Sequence, residues 1–253
     1  MSYYRQGPGR PSGSRVSIGV PPVTPYLKLI MIVTGAVWLL QVLCGAVGFS
    51  IAGLSIEHIL GVMPALVVRG FLWQVGTYMF LHDPASIFHI LFNLVFIWMF
   101  GGELERQWGG PAFLRYYLVC GIGGGVFATI MGLVYPPHYN VVTFGASGAL
   151  FGLIMAFGMV FAERTVLFML LFPMKARTMA MILFAIAFFY TVSGSSDGIS
   201  HVGHLGGAVT GFLYLKRVWR VGDLYRELKW KIRRRRFKVM QKNEKDDFDR
   251  WIH

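Results

Sequence analysis

The chain has 253 residues, 55% hydrophobic and 14% charged, with a mean hydropathy of +0.55, against roughly 45–50% and about 25% in an ordinary soluble domain. A typical soluble globular protein is excluded, and the composition is that of a membrane protein. The net charge of +12 is unevenly spread, because 17 of the charged residues lie in the last 32 positions, and the body is more apolar than the average.

In chain order, residues 1–26 are rich in Pro, Gly, Ser and Arg and lack the apolar core of a cleaved signal peptide, so they are expected to form a disordered basic tail. A bilayer core about 30 Å thick needs about 20 mostly apolar residues in a helix. Five stretches free of Asp, Glu, Lys and Arg meet that need: Leu29 to Ile56, Pro84 to Gly102, Tyr116 to Ala162, Thr178 to Ser196 and Gly198 to Leu215. The third is long enough for two spans, and Pro136-Pro137-His138-Tyr139-Asn140 breaks it where a turn is required. Six helices follow, at about 29–50, 86–102, 112–134, 146–162, 178–193 and 199–216. Segments 59–81, cut by Pro64 and Arg69, and 165–174, too short to span, are expected to be interfacial.

Placing both termini inside puts 23 of the 24 Lys and Arg residues on the cytoplasmic side, Arg69 alone being outside. The expected fold is an all-α membrane protein, a six-transmembrane-helix bundle over residues 27–217 with both termini cytoplasmic. Its expected location is a bacterial inner membrane. The tail 218–253 carries Arg233 to Arg236 among Trp230, Ile232, Phe237 and Val239. A basic stretch of that kind either lies on anionic lipid or is a solvated tail that fixes topology; nucleic acid is not an expected partner.

Cys44 and Cys120 lie inside apolar runs, where a disulfide framework or a thiolate metal site would be out of place. Polar groups inside the spans are the stronger signal, because they are costly in lipid unless they face a partner or water. Three places qualify: His89 to Asn93, Gly145-Ala146-Ser147-Gly148 and His201-Val202-Gly203-His204. Under the inferred topology these open the second, fourth and sixth spans in the same leaflet. Their side chains then share a depth within about 10 Å of the outer boundary. A polar cavity open to the outer side is expected there.

Each residue also has a plainer reading. Ser147 could bond to its own helix, and His89 and Asn93, four apart on one face, could be an interhelical clasp instead of two donors aimed at an oxyanion. Gly148 with Gly152, and Gly203, Gly207 and Gly211, form two small-residue faces on which helices could approach closely enough for a serine hydroxyl to meet an imidazole. His201, on a face neighbouring that of His204, competes with it as the proton acceptor.

These motifs resemble the rhomboid intramembrane serine proteases. Gly145-Ala146-Ser147-Gly148 resembles that family's Gly-x-Ser-Gly nucleophile motif, and His204-Leu205-Gly206-Gly207 with Gly211 resembles its last-span signature. Trp73-Gln74, Thr77-Tyr78, Phe80-Leu81-His82, His89, Asn93, Trp98, Phe100-Gly101, Leu104-Glu105 and Trp108-Gly109 resemble its stretch through the second helix. The resemblance, over about residues 27–217, implies Ser147 as nucleophile and His204 as general base. His89, Asn93 and the Ser147 N–H would form the oxyanion site. Phe151 would lie against the catalytic imidazole, and Gly145 and Gly207 would support the geometry. It also implies single-span membrane proteins as substrates, admitted between the second and fifth spans under a cap at 194–198, with no cofactor and no metal. A non-catalytic binder of transmembrane helices of the same fold is the competing class. A histidine-relay transporter would require acidic residues along the spans, which are nearly without them.

Overall fold

The computed structural model describes residues 21–168, 172–193 and 200–216; the basic tail with Arg233 to Arg236 and the cap segment 194–198 lie outside these. Five long helices and a sixth at 201–216 form the body. They are α1 (Pro25–Ala46), α5 (Ile87–Trp108), α6 (Gly110–Val134), α8 (Ser147–Val160), α9 (Ala176–Ser193) and α10 (201–216). Short elements fill the links: α2 (Ile56–Leu60), α3 (Pro64–Val67), α4 (Gln74–Thr77) with a 3-10 turn at Tyr78–Phe80, and α7 (Pro136–Tyr139). Among the described residues α1, α5, α6 and α9 are long and apolar enough to cross a membrane. The 14 residues of α8 reach only about 21 Å at 1.5 Å each, less than a bilayer core.

The helix bodies lie where the charge-free stretches put them, and the ends differ for local reasons. α1 starts at Pro25, a residue suited to a first helical turn, because the Glu105 carboxylate accepts from the Thr24 hydroxyl and from the Tyr26 and Leu27 N–H groups. α5 runs past Gly102 through Glu103, Glu105 and Arg106 to Gly109, whose φ of 83° ends it. Charge limits the membrane-crossing part of a helix, not the helix itself.

Segment 165–174 departs from the all-helical expectation: β1 (Thr165–Phe168) and β2 (Phe172–Lys175) pair antiparallel, Thr165 opposite Lys175 and Phe168 opposite Phe172. Val166, Phe168 and Met174 turn inward while Leu167 and Phe172 stay exposed, the alternation of a half-buried strand. Segment 59–81 holds only short elements, and its end, with the adjoining His82, packs into the protein. Gln74, Tyr78, Met79, Leu81 and His82 are buried in the bundle.

Polarity runs inside out. Leu29, Ile32, Leu39, Leu40 and Leu43 of α1 and Phe188, Phe189 and Val192 of α9 are exposed, while Thr34, Gln41, Gln74, Asn93, Thr129, Thr191 and His204 are buried. That arrangement suits an apolar solvent. The ion pairs Arg164–Glu103, Lys175–Glu163 and Arg177–Glu163 and the Glu105 cap gather at one end of the bundle. The histidines His82, His89, His201 and His204 gather at the other, where α5, α8 and α10 begin.

Candidate active site

Three devices place Ser147. Thr143 exchanges both backbone hydrogen bonds with Val62, at 2.9 and 2.8 Å, which anchors the extended approach. The Gly145 N–H donates to the Tyr78 carbonyl at 3.0 Å, and Gly145 takes a φ of 130° that side-chain-bearing residues rarely adopt. α8 then begins at Ser147 itself. The first N–H groups of a helix have no intrahelical acceptor and carry the positive end of its dipole, so the Ser147 hydroxyl sits beside donors suited to a developing anion.

Glycines bring α10 against α8. A Cβ on Gly207 would overlap the Gly148 carbonyl, one on Gly211 would lie 3.2 Å from the Gly152 Cα, and one on Gly148 would lie 3.3 Å from the Gly203 carbonyl. The two small-residue faces read from the sequence are thus in contact. Tyr78, which sequence reasoning left without a role, fills the remaining corner. Its hydroxyl donates to the Gly121 carbonyl at 2.8 Å, and it stands where a Cβ on Gly124 or Gly148 would be, 2.6 Å from each.

At this crossing the His204 ring lies flat on Phe151, with centroids 4.3 Å apart and planes 6° from parallel. Phe151 is one turn beyond Ser147, on the same side of α8. The imidazole therefore lies along the face that carries the hydroxyl. His204 is nine-tenths buried. His201 instead stacks on Tyr190 of α9, at 4.6 Å, and meets His204 edge-on at 5.7 Å.

His89 reaches the site from α5. The Asp83 N–H donates to its Nδ1 at 3.3 Å, which leaves the proton on Nε2. That nitrogen lies 3.1 Å from the point a Gly145 Cβ would occupy, and Ser147 Oγ lies 3.7 Å from the same point. His89 Nε2 and the hydroxyl thus flank the glycine that has no side chain to separate them. Asn93 is buried and spends one amide N–H on the His89 carbonyl, at 2.8 Å. Its Oδ1 has no hydrogen-bond partner among the described residues, and its second N–H adds to the donor capacity of this corner.

A cavity of about 400 Å³ opens beside these groups, lined by His89, Thr143, Phe144, Tyr190, Ser200 and His201 among others. Its wall is part polar and part aromatic, a lining common in binding sites. His82, between the 3-10 turn and α5, is buried under it, 5.0 Å from the His89 ring, with its Nε2 3.5 Å from the Ala146 N–H. Burial, and the His89 imidazole beside it, push its pKa down to about 4, so the ring is neutral. In the sequence His82 stands out only within Phe80-Leu81-His82 of the family resemblance, with no role attached to it. Among the described residues no group of three His, Cys, Asp or Glu could hold a metal ion.

A family model for the Rhomboid domain matches residues 69–221. The chain is 32% identical over 148 residues to the rhomboid protease GluP of Bacillus subtilis, covering 58% of this chain and 26% of that one. It is 35% identical over 150 residues to YdcA of the same organism, covering 58% and 67%. To RHOMBOID-like protein 1 of Arabidopsis thaliana it is 29% identical over 141 residues, covering 56% and 33%.

Proposed function

This chain belongs to the rhomboid family, it is an integral multi-pass membrane protein, and from that premise we propose that it is an intramembrane serine endopeptidase in which Ser147 and His204 are the reacting pair. The observation that carries this reading is the glycine crossing of α8 and α10, which lays His204 flat on Phe151, one turn from Ser147.

His204 takes the hydroxyl proton as Ser147 Oγ attacks a substrate carbonyl, and returns it to the departing amine; water then releases the acyl group by the same proton transfers in reverse. The tetrahedral oxygen is held by the Ser147 N–H at the head of α8, by His89 Nε2–H and by the Asn93 amide. Losing one such donor costs about 10²–10³ in rate. Among the described residues the buried carboxylate is Glu105, which caps α1 at the far end. It cannot steady the imidazolium as the acid of a triad does, and slow turnover follows.

The substrates in this reading are single-span membrane proteins, cut near the outer face where a helix-weakening sequence lets the backbone unwind. Six spans with both termini cytoplasmic place Ser147 at that level. The same reading has substrates arrive between α5 and α9, and places the enzyme in a bacterial inner membrane with its basic tail on anionic lipid. Purified protein in detergent is expected to cleave a model transmembrane substrate, and Ser147→Ala and His204→Ala are expected to abolish the cleavage. Undiminished cleavage by either variant rejects the pair.

A further inference from the structure

His201 is a second imidazole at the site without a part in the chemistry above. Its surroundings give it one. Tyr190 of α9 stacks on His201, 4.6 Å between centroids and 15° from parallel. His201 stands at 88° to His204, 5.7 Å away, and His204 lies on Phe151. Four rings from α9, α10 and α8 form one continuous row that ends beside the nucleophile. The Tyr190 and His201 end of the row is a wall of the cavity, which Asp83, His89, His138 and Tyr139 also line.

The orientation of a proton acceptor must be held to about 10–20°. Phe151 covers one face of His204. The ring of His201, set crosswise to it at 5.7 Å, is a second ring contact that limits its movement. Its own plane is set in turn by Tyr190, so the position of α9 is written into the position of the base. A second tie between α9 and the loops of the site is the Tyr139 hydroxyl, which donates to the Thr191 carbonyl at 2.6 Å.

We propose that His201 is a positioning residue that fixes the His204 ring and, through its stack on Tyr190, makes the reacting pair competent when α9 lies closed against α10. The proposal rests on the reading of Ser147 and His204 as the reacting pair. When α9 moves aside, the row is broken at its first link and the base loses that support. When α9 returns, the base is set.

The test is the separate measurement of kcat and KM for a transmembrane peptide substrate in proteoliposomes. The proteins are the wild type, Tyr190→Ala, Tyr190→Phe, His201→Ala, His201→Phe and the Tyr190→Ala/His201→Ala double variant. The alanine variants are expected to lose about tenfold in kcat, the factor that an aromatic stacking energy corresponds to, with KM little changed. The phenylalanine variants, which keep a flat ring, are expected to recover most of it. The double variant should fall no further than the worse single one, because both changes break one row. Wild-type kcat in both alanine variants, failure of His201→Phe to recover, or additive losses would each overturn the proposal. Ser147→Ala and His204→Ala run alongside: if they still cleave, the reading of the reacting pair has failed, whereas if they are inert and the row variants are normal, the row alone is refuted.

Discussion

Gly207 of α10 rests directly on the Gly148 carbonyl of α8, with no room for a methyl group between them. Separation of the two helices by even one carbon would draw the base from the nucleophile, and a misplacement of about 1 Å can cost about 10² in rate. Gly207→Ala is expected to lower kcat by about that factor, with a lowered thermal midpoint in detergent, and Gly207→Val to abolish cleavage. Labelling of Ser147 by a fluorophosphonate gives an independent reading and should fall in parallel. An alanine variant with wild-type kcat would show that the crossing does not set the chemistry.

The Phe151 ring holds His204 through its face alone, since a benzene ring offers the imidazole no hydrogen-bond donor. Phe151→Tyr keeps that face and should retain most of the activity. Phe151→Ala removes it and should lower kcat by about tenfold, the scale of one aromatic pair, while KM moves little. A KM effect of the same size with kcat intact would place Phe151 against the substrate instead.

The glycine faces were visible in the sequence because their meaning is local. Gly148, Gly152, Gly207 and Gly211 recur at helical spacing, so a single helix geometry predicts their faces, whereas the place of Phe151 against the imidazole was implied by the family resemblance. The contributions of Tyr78 and His82 were not visible. Each is one polar ring in an apolar segment, and what makes it matter is a contact tens of residues away, as between Tyr78 and Gly121 or His82 and Ala146. The hairpin at β1 and β2 was hidden for another reason. A short apolar run carries too few residues to distinguish a strand from an interfacial segment. The end of α5 escaped because charge marks the membrane boundary, and the helix continues beyond it.

Glu105 illustrates a long-range contact with a measurable stability effect. It is 5% exposed and receives the Tyr26 and Leu27 N–H groups, at 3.1 and 2.8 Å, as well as the Thr24 hydroxyl. Hydrogen bonds to a charged acceptor contribute about 1.5–3 kcal/mol each, and a carboxylate at a helix start is further favoured by the dipole. Glu105→Ala is expected to lower stability by about 3 kcal/mol or more, and Glu105→Gln by less, since the amide oxygen still accepts. Because this cap lies at the end of the bundle away from Ser147, kcat at a temperature where the variants are folded should match the wild type. An unchanged unfolding midpoint in Glu105→Ala would refute the cap.

His82 ties the fold to pH. Its folded pKa of about 4 lies below the ordinary 6.5, so on acidification the unfolded chain binds the proton first. The stability gained from keeping this ring neutral and buried is fully present above about pH 6.5. It drains away as pH falls toward 4, at about 1.4 kcal/mol per unit of the difference. The wild type should therefore lose stability across that window more steeply than His82→Gln, which has no proton to take up. Activity should follow where the loss reaches the Ala146 turn that presents Ser147. Parallel stability curves for the two proteins between pH 6.5 and 4 would mean that His82 is already protonated, or solvated, in the folded chain.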